Sequence, residues 1–219
     1  MSTKKSILLS VAKKYSFFKK LYFFYNIYIR NYKFLFKSSQ FGEEKKILRF
    51  FKKDFKGTYV DLWFFHPTRL NNTFQLYKKG WSGINIDLNP LTIELFNYAR
   101  PLDINICSVV SNSRKNKKLY FLGDLDSKNT LDLNHKNWLS RHFKIKEKDF
   151  KIKKIKSKTL GDILKENSLF KIDFLNIDIE GHELEVLRSL DFRKFNINTI
   201  CVEIINFNKQ SKEKGKKII

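Results

Sequence analysis

Five short apolar runs, spaced widely along this chain, constrain its fold more than any other feature. They are "TYVDL" (58–62), "SGINIDL" (82–88), "INICSVV" (104–110), "IDFLNIDI" (172–179) and "TICVEII" (199–205). A strand that alternates apolar with polar residues covers a single face of a core. A near-continuous apolar run needs cover on both faces, as in a parallel sheet. Stretches of helical spacing lie between the runs. "KKILRFFKK" (45–53) is one, and "NTFQLYKKG" (72–80) is a second, with Asn71 or Asn72 as N-cap and Gly80 as stop. "LTIELFNYAR" (91–100) starts after Pro90; "TLGDILKEN" (159–167) and "HELEVLRSL" (182–190) complete the series. The alternation predicts a Rossmann-like, doubly wound α/β fold around a mostly parallel sheet. Residues 112–158 are polar and lysine-rich, with strand-like pieces "KLYFLG" and "FKIKKIKS" whose partners the sequence does not specify.

A length of 219 residues suits one domain with an appendage, and 22 Phe with 9 Tyr exclude a disordered chain. Cys107 and Cys201 both fall inside predicted strands, so they read as small buried hydrophobes of a reducing, cytoplasmic compartment. The sequence contains no CxxC, no HExxH and no Gly-rich run ending in Lys-Ser/Thr, and "LGDLDSKNT" lacks the terminal glutamate of a calcium loop. No metal site is predicted.

The formal net charge is +22 and the pI about 9.9. Such a balance fits an anionic partner, and it equally fits lysine-rich coding with no partner at all. The charge is unevenly spread. Residues 1–40 hold nine Lys/Arg and no acid, interleaved with rings in "KKYSFFKKLYFFYNIYIRNYKFLFK". No run reaches the roughly 18 apolar residues of a spanning helix. "SILLSVA" resembles a short signal core, but Lys13 and Lys14 follow at once. Residues 1–38 therefore form a basic aromatic segment distinct from a main domain over 39–219. Two readings stand for it: rings buried in the headgroup region of an anionic membrane at its inner face, with lysines snorkelling, or packing against the main domain. Nucleic-acid binding is a further class, with no motif behind it beyond charge.

In doubly wound sheets ligands bind beyond the carboxyl ends of the strands. Asp61, Trp63 and His66 lie at the end of the first predicted strand and Asp87 at the end of the second. Asp178, Glu180, Gly181, His182 and Glu183 follow the fourth, and Glu203 closes the fifth. One carboxylate at the second strand can accept both hydroxyls of a ribose, although a turn or cap aspartate is an equally simple reading of Asp87. In "IDIEGHE" the acids are crowded at a helix start, which raises the pKa of at least one or calls for a cation. The alternative is helix capping by Glu183 and Glu185 beside a solvated His182.

"SQFGEE" (39–44), "YVDLWFFHPTRLNNTFQLYKKGWSGINIDLNP" (59–90), "RPLDINICSVVS" (100–111) and "IDFLNIDIEGHELEVLRSLDF" (172–192) together resemble the FkbM-type methyltransferases. The resemblance implies S-adenosylmethionine as cofactor, held by Asp61, Trp63 and His66 of the first loop and by Asp87 on the ribose. It implies methyl transfer to a hydroxyl of a small-molecule or glycan acceptor, as in surface-polysaccharide or natural-product synthesis. Asp178, Glu180 and His182 then lie near the methyl group as candidate bases, with His66 as an alternative. A divalent ion on Asp178 and Glu180 is a further option. The chain departs from the family pattern at Trp63, where glycine is usual, and in stopping at Ile219, short of two further strands. An impaired or truncated homologue is therefore the second expectation.

Overall fold

The computed structural model describes residues 15–39, 42–62, 66–123, 126, 128–179 and 181–204. Its core is a five-stranded sheet of β1 (Thr58–Leu62), β2 (Ser82–Asp87), β3 (Ile104–Cys107), β7 (Lys171–Ile177) and β8 (Asn196–Val202). The spatial order is β3-β2-β1-β7-β8 and every pairing is parallel, so the chain reverses its winding at β1. That reversal opens a crevice at the carboxyl ends of β1 and its neighbours.

Both faces of the central strands are buried, as their continuous apolar character requires. Val60, Leu62, Ile84, Ile86, Leu175 and Ile177 face one side. There they meet Leu160, Ile163 and Leu164 of α6 (Leu160–Glu166) and Val186 of α7 (Glu183–Ser189). On the opposite side Tyr59 and Phe174 pack with Trp81, with Ile47 of α2 (Glu43–Phe50) and with Leu76 of α3 (Phe74–Lys78). Gly83 lies opposite Tyr59, and a Cβ there would come within 2.2 Å of the Tyr59 carbonyl oxygen. The tyrosine ring occupies the space that glycine leaves.

Polar residues interrupt the apolar runs, and the parallel register lines up one from each of four strands, with Cys201 continuing the row. Asn105, Asn85, Asp61, Asn176 and Cys201 are cross-strand neighbours in one row over the sheet. A buried polar row must be hydrogen-bonded throughout or it destabilises the sheet. Asn176 Nδ2 donates to Asp61 Oδ1 at 2.8 Å, and Asn85 Nδ2 donates to Asn105 Oδ1 and Asp103 Oδ2, both at 2.8 Å.

The five helices predicted from spacing are present, with α4 at Pro90–Ala99, whereas the helix over Leu133–His142 was not predicted. Asn89 Oδ1 accepts the Leu91 N–H and Pro90 opens α4. At α3 the N-cap position is Thr73, not Asn71 or Asn72, because both asparagines are used elsewhere. Asn71 bonds Asp61 and the Thr73 N–H; Asn72 bonds Asn176.

The predicted strand 104–110 is in fact two. After β3 the Ser108 N–H bonds the Asp87 carbonyl, and β4 (Val109–Val110) joins a second sheet of order β4-β6-β5. The pieces left without partners form this sheet: β5 (Asn116–Phe121) runs antiparallel to β6 (Lys151–Lys158). The sequence cannot show this because the pairing spans residues far apart, with α5 (Leu133–His142) between them. The cysteine reading also needs correction. β3 is an edge strand of its sheet, so Cys107 is exposed, and Cys201 is only half-buried.

Within the N-terminal segment, α1 (Ser16–Phe24) continues into a π-turn (Tyr25–Arg30) and a 3-10 turn (Tyr32–Leu35). Phe23 and Ile27 pack on Leu91 and Leu95 of α4, and Lys19 pairs with Glu94 at 2.6 Å. The segment then crosses to the loop after β1, where the Asn71 N–H bonds the Ser38 carbonyl at 2.9 Å.

Candidate active site

A cleft of ≈ 330 Å³ opens beyond the carboxyl ends of β7 and β8, lined among others by Glu43, Asn72, Asn176, Asp178 and Glu203. Backbone pairing sets the two acids at its floor. The Asp178 N–H bonds the Leu62 carbonyl and the Glu203 N–H bonds the Ile177 carbonyl, extending the sheet register past the strand ends. Three carboxylates thus converge in a chain of net charge +22. Their field is felt by Cys201, which also lines the cleft. Burial first, then the charges of Glu43, Asp61, Asp178 and Glu203, push its thiol up to about 11. The cleft favours a cation, and Cys201 is an inert thiol at neutral pH.

The loop after β1 is anchored from below by Asp61. This fully buried carboxylate accepts hydrogen bonds from Asn71 Nδ2 at 3.1 Å, Thr73 Oγ1 at 2.8 Å and Asn176 Nδ2 at 2.8 Å. Burial raises its pKa, and these donors together with the charge of Arg100 oppose the rise. With its oxygens so engaged, Asp61 shapes the loop and does not face the cleft.

Arg100 carries the other end of that arrangement, and sequence reading missed it. Its side chain is completely buried. Nη1 donates to Thr73 Oγ1 at 2.8 Å and Nη2 to Asn71 Oδ1 at 2.6 Å. Nε and Nη2 both reach the Pro67 carbonyl, and the rings of Phe74, Tyr77 and Phe96 surround the guanidinium. In the sequence, "YARPLD" reads only as the end of a helix before proline. The available signals were Asp61, Asn85 and Asn176, each a polar residue inside a buried run. They announced a polar network, though not its cation.

His66 is buried in the same loop. Its Nδ1 accepts the backbone N–H groups of Thr68 and Arg69, both at 3.2 Å. Burial, and then the charges of Arg69, Arg100 and Arg30, lower its pKa to about 3. The ring is therefore neutral, with the proton assigned to Nε2 by the acceptor role of Nδ1. Among the described residues Nε2 is buried without a hydrogen-bond partner. Trp63 and Glu180, both expected in the site, lie outside the described residues.

Asp87 sits on the other flank of β1, where it closes β2. Among the described residues it accepts one hydrogen bond, from the Asn89 N–H to Oδ1 at 2.7 Å. Burial raises its pKa to about 8, against that bond and with a further push from Asp61. A carboxyl so poorly supplied with donors is suited to two ligand hydroxyls.

In "IDIEGHE" the roles separate. Asp178 lines the cleft. Glu183 turns back on its own loop, where Oε1 accepts the N–H groups of Ile179 at 3.2 Å and Gly181 at 2.9 Å. Glu183 thus braces the turn before α7 and not the first-turn N–H groups that capping would use, and His182 is not solvated. His182 Nε2 lies 2.9 Å from Ser111 Oγ at the end of β4, and Nδ1 lies 3.9 Å from Glu185. The structure thus gathers Asp178 with Glu43 and Glu203, and ties His182 to the second sheet.

An all-parallel sheet of this order, with acids at the ends of β2 and β7 and a cleft beside the reversal point, defines a Rossmann-like α/β protein with its site at the carboxyl edge. The family model described as the methyltransferase FkbM domain matches residues 42–219, and the chain belongs to that methyltransferase family. No curated protein and no solved structure matches the chain.

Proposed function

We propose that this protein is an S-adenosylmethionine-dependent methyltransferase that O-methylates a hydroxyl of a sugar, surface polysaccharide or natural product. The observation that carries the cofactor assignment is Asp87, a buried carboxyl at the end of β2 with a single described hydrogen bond. Two hydroxyls of a ribose would supply the donors it lacks. His66 in the adjacent loop offers a neutral N–H with no partner among the described residues, which suits the carboxylate of an amino-acid moiety. The negative cleft around Asp178 suits a positively charged sulfur.

When bound, the cofactor supplies a methyl group already activated on a sulfonium. The protein then has to align the acceptor oxygen behind that methyl, a contribution on the order of 7–11 kcal/mol in favourable cases. Asp178, at the cleft floor, is the residue to take the proton from the acceptor hydroxyl, with Glu180 and His182 as its neighbours in sequence. The sugar or natural-product acceptor rests on family resemblance.

Calorimetric titration with S-adenosylmethionine tests the reading on the wild-type chain, Asp87→Asn and Trp63→Gly. Wild-type binding that Asp87→Asn weakens at least about tenfold supports it. Binding seen only in Trp63→Gly favours the impaired homologue, in which the indole fills the cofactor space. Absence of binding in all three chains overturns the cofactor assignment.

A further inference from the structure

The N-terminal segment carries far more exposed apolar surface than its packing on α4 explains. Among the described residues, ten large hydrophobic side chains at least 43% exposed fall within positions 15–36. They include Phe17 at 68%, Tyr32 at 62% and Phe36 at 78%. Only eleven exposed large hydrophobics are spread over the rest of the described chain. The segment has already buried its core-facing side through Phe23 and Ile27, so this aromatic surface is a second face. Between the rings stand Lys19, Lys20, Arg30, Lys33 and Lys37, and positions 15–37 contain no acid.

We infer that this second face docks on an anionic phospholipid bilayer. The mixture of residues selects that partner over a protein. The core of a protein interface is depleted of lysine, because an ammonium trapped among rings loses its water. At a bilayer surface rings settle at the acyl boundary while lysine stems reach up to the phosphates, so the two residue types help each other. The basic balance of the whole chain adds long-range attraction to an anionic leaflet. Among the described residues no helix is long and apolar enough to cross a membrane, so the contact is peripheral. The docking face is joined to α3 and to the loop after β1. Gln75 and Lys78 of α3 donate to the Leu35 carbonyl, at 3.5 and 3.0 Å, and Arg69 lies over the Phe34 ring. Docking would therefore hold the carboxyl edge of the sheet beside the bilayer.

The test is co-sedimentation of the full chain with two vesicle types, equal parts phosphatidylcholine and phosphatidylglycerol, and phosphatidylcholine alone. Binding is expected to the first and not to the second. Phe17, Leu21 and Tyr25 are exposed, so the triple change Phe17→Ser, Leu21→Ser, Tyr25→Ser leaves the fold intact by circular dichroism. It should weaken partitioning at least about tenfold. Lys20→Glu with Lys33→Glu should weaken it comparably. Lys154→Glu with Lys156→Glu on exposed β6 makes the same charge change elsewhere and should cost less than about twofold. Equal loss from the β6 pair would mean that global charge alone acts, and would overturn the inference. So would full binding by the ring variant, or binding to homopolymeric RNA with none to vesicles.

Discussion

Arg100 and Pro67 are joined by two hydrogen bonds, from Nε at 3.0 Å and from Nη2 at 2.5 Å, both to the Pro67 carbonyl. Proline donates nothing, but its carbonyl here receives a fork that also holds Asn71 and Thr73. One buried cation thereby holds Pro67, Asn71 and Thr73 of the loop after β1 together.

Replacing it should be costly. Arg100→Met leaves Asp61 and Asp103 buried without their nearest cation, and breaking such an arrangement costs about 3–5 kcal/mol. Arg100→Lys should recover little, because a single ammonium cannot reproduce the fork. Urea unfolding midpoints for both variants check this, and a loss below about 1 kcal/mol in either would contradict it.

At Gly83 the limit is steric. A methyl group there would meet the Tyr59 carbonyl at 2.2 Å and the Tyr59 ring at 2.4 Å, and the backbone oxygen cannot give way without breaking the β1–β2 pairing. Gly83→Ala should destabilise by at least about 2–3 kcal/mol. The pair Gly83→Ala, Tyr59→Ala removes the ring clash but should not recover the loss, because the backbone oxygen remains.

The two buried titrating groups act in opposite senses. Asp87 has a folded pKa of about 8, above its unfolded value, so its contribution is full at low pH and is lost as pH rises from about 4 to about 8. His66 is lowered to about 3, so its contribution is present above about 6.5 and is lost as pH falls from there towards 3. Asp87→Asn should make the ligand-free protein more stable at pH 8, removing a slope of up to about 1.4 kcal/mol per pH unit. His66→Asn keeps an acceptor for the Thr68 and Arg69 N–H groups and should flatten the acid limb. Melting temperatures from pH 4 to 9 separate the two; a steeper acid limb in His66→Asn would refute the assignment.

For the chemistry, Asp178 and His182 should differ. On the proposed mechanism Asp178→Asn removes the proton acceptor and should lower kcat by about 10²–10⁴, and it should also weaken cofactor binding because the cleft loses one of its negative charges. His182→Gln can still bond Ser111, so a positioning role predicts a loss of about tenfold or less. Measured kcat with an acceptor in hand ranks them, and the reverse order would move the base to His182.

Much of this architecture was legible in the chain itself. Runs such as "YVDL" and "FLNI" are apolar on both alternating faces, which already demands a covered parallel sheet, and Asn89–Pro90 marks a helix start with its own local chemistry. The acids at strand ends followed from the same reading, since position along a strand determines which end carries a residue. Other features depend on register between distant segments, which no local pattern encodes. Asn85, Asp61 and Asn176 become one row only when β2, β1 and β7 pair. Arg100 becomes a buried cation only because Pro67, Asn71 and Thr73 of the loop after β1 supply its acceptors. Asp178 and His182 are four residues apart, yet one enters the cleft and the other meets Ser111, because the turn at Gly181 points them at different sheets. Local sequence thus determined the elements and where their chemistry would sit. Tertiary packing decided which polar groups meet, because burial turns each unpaired charge or amide into a demand that only a distant partner can satisfy.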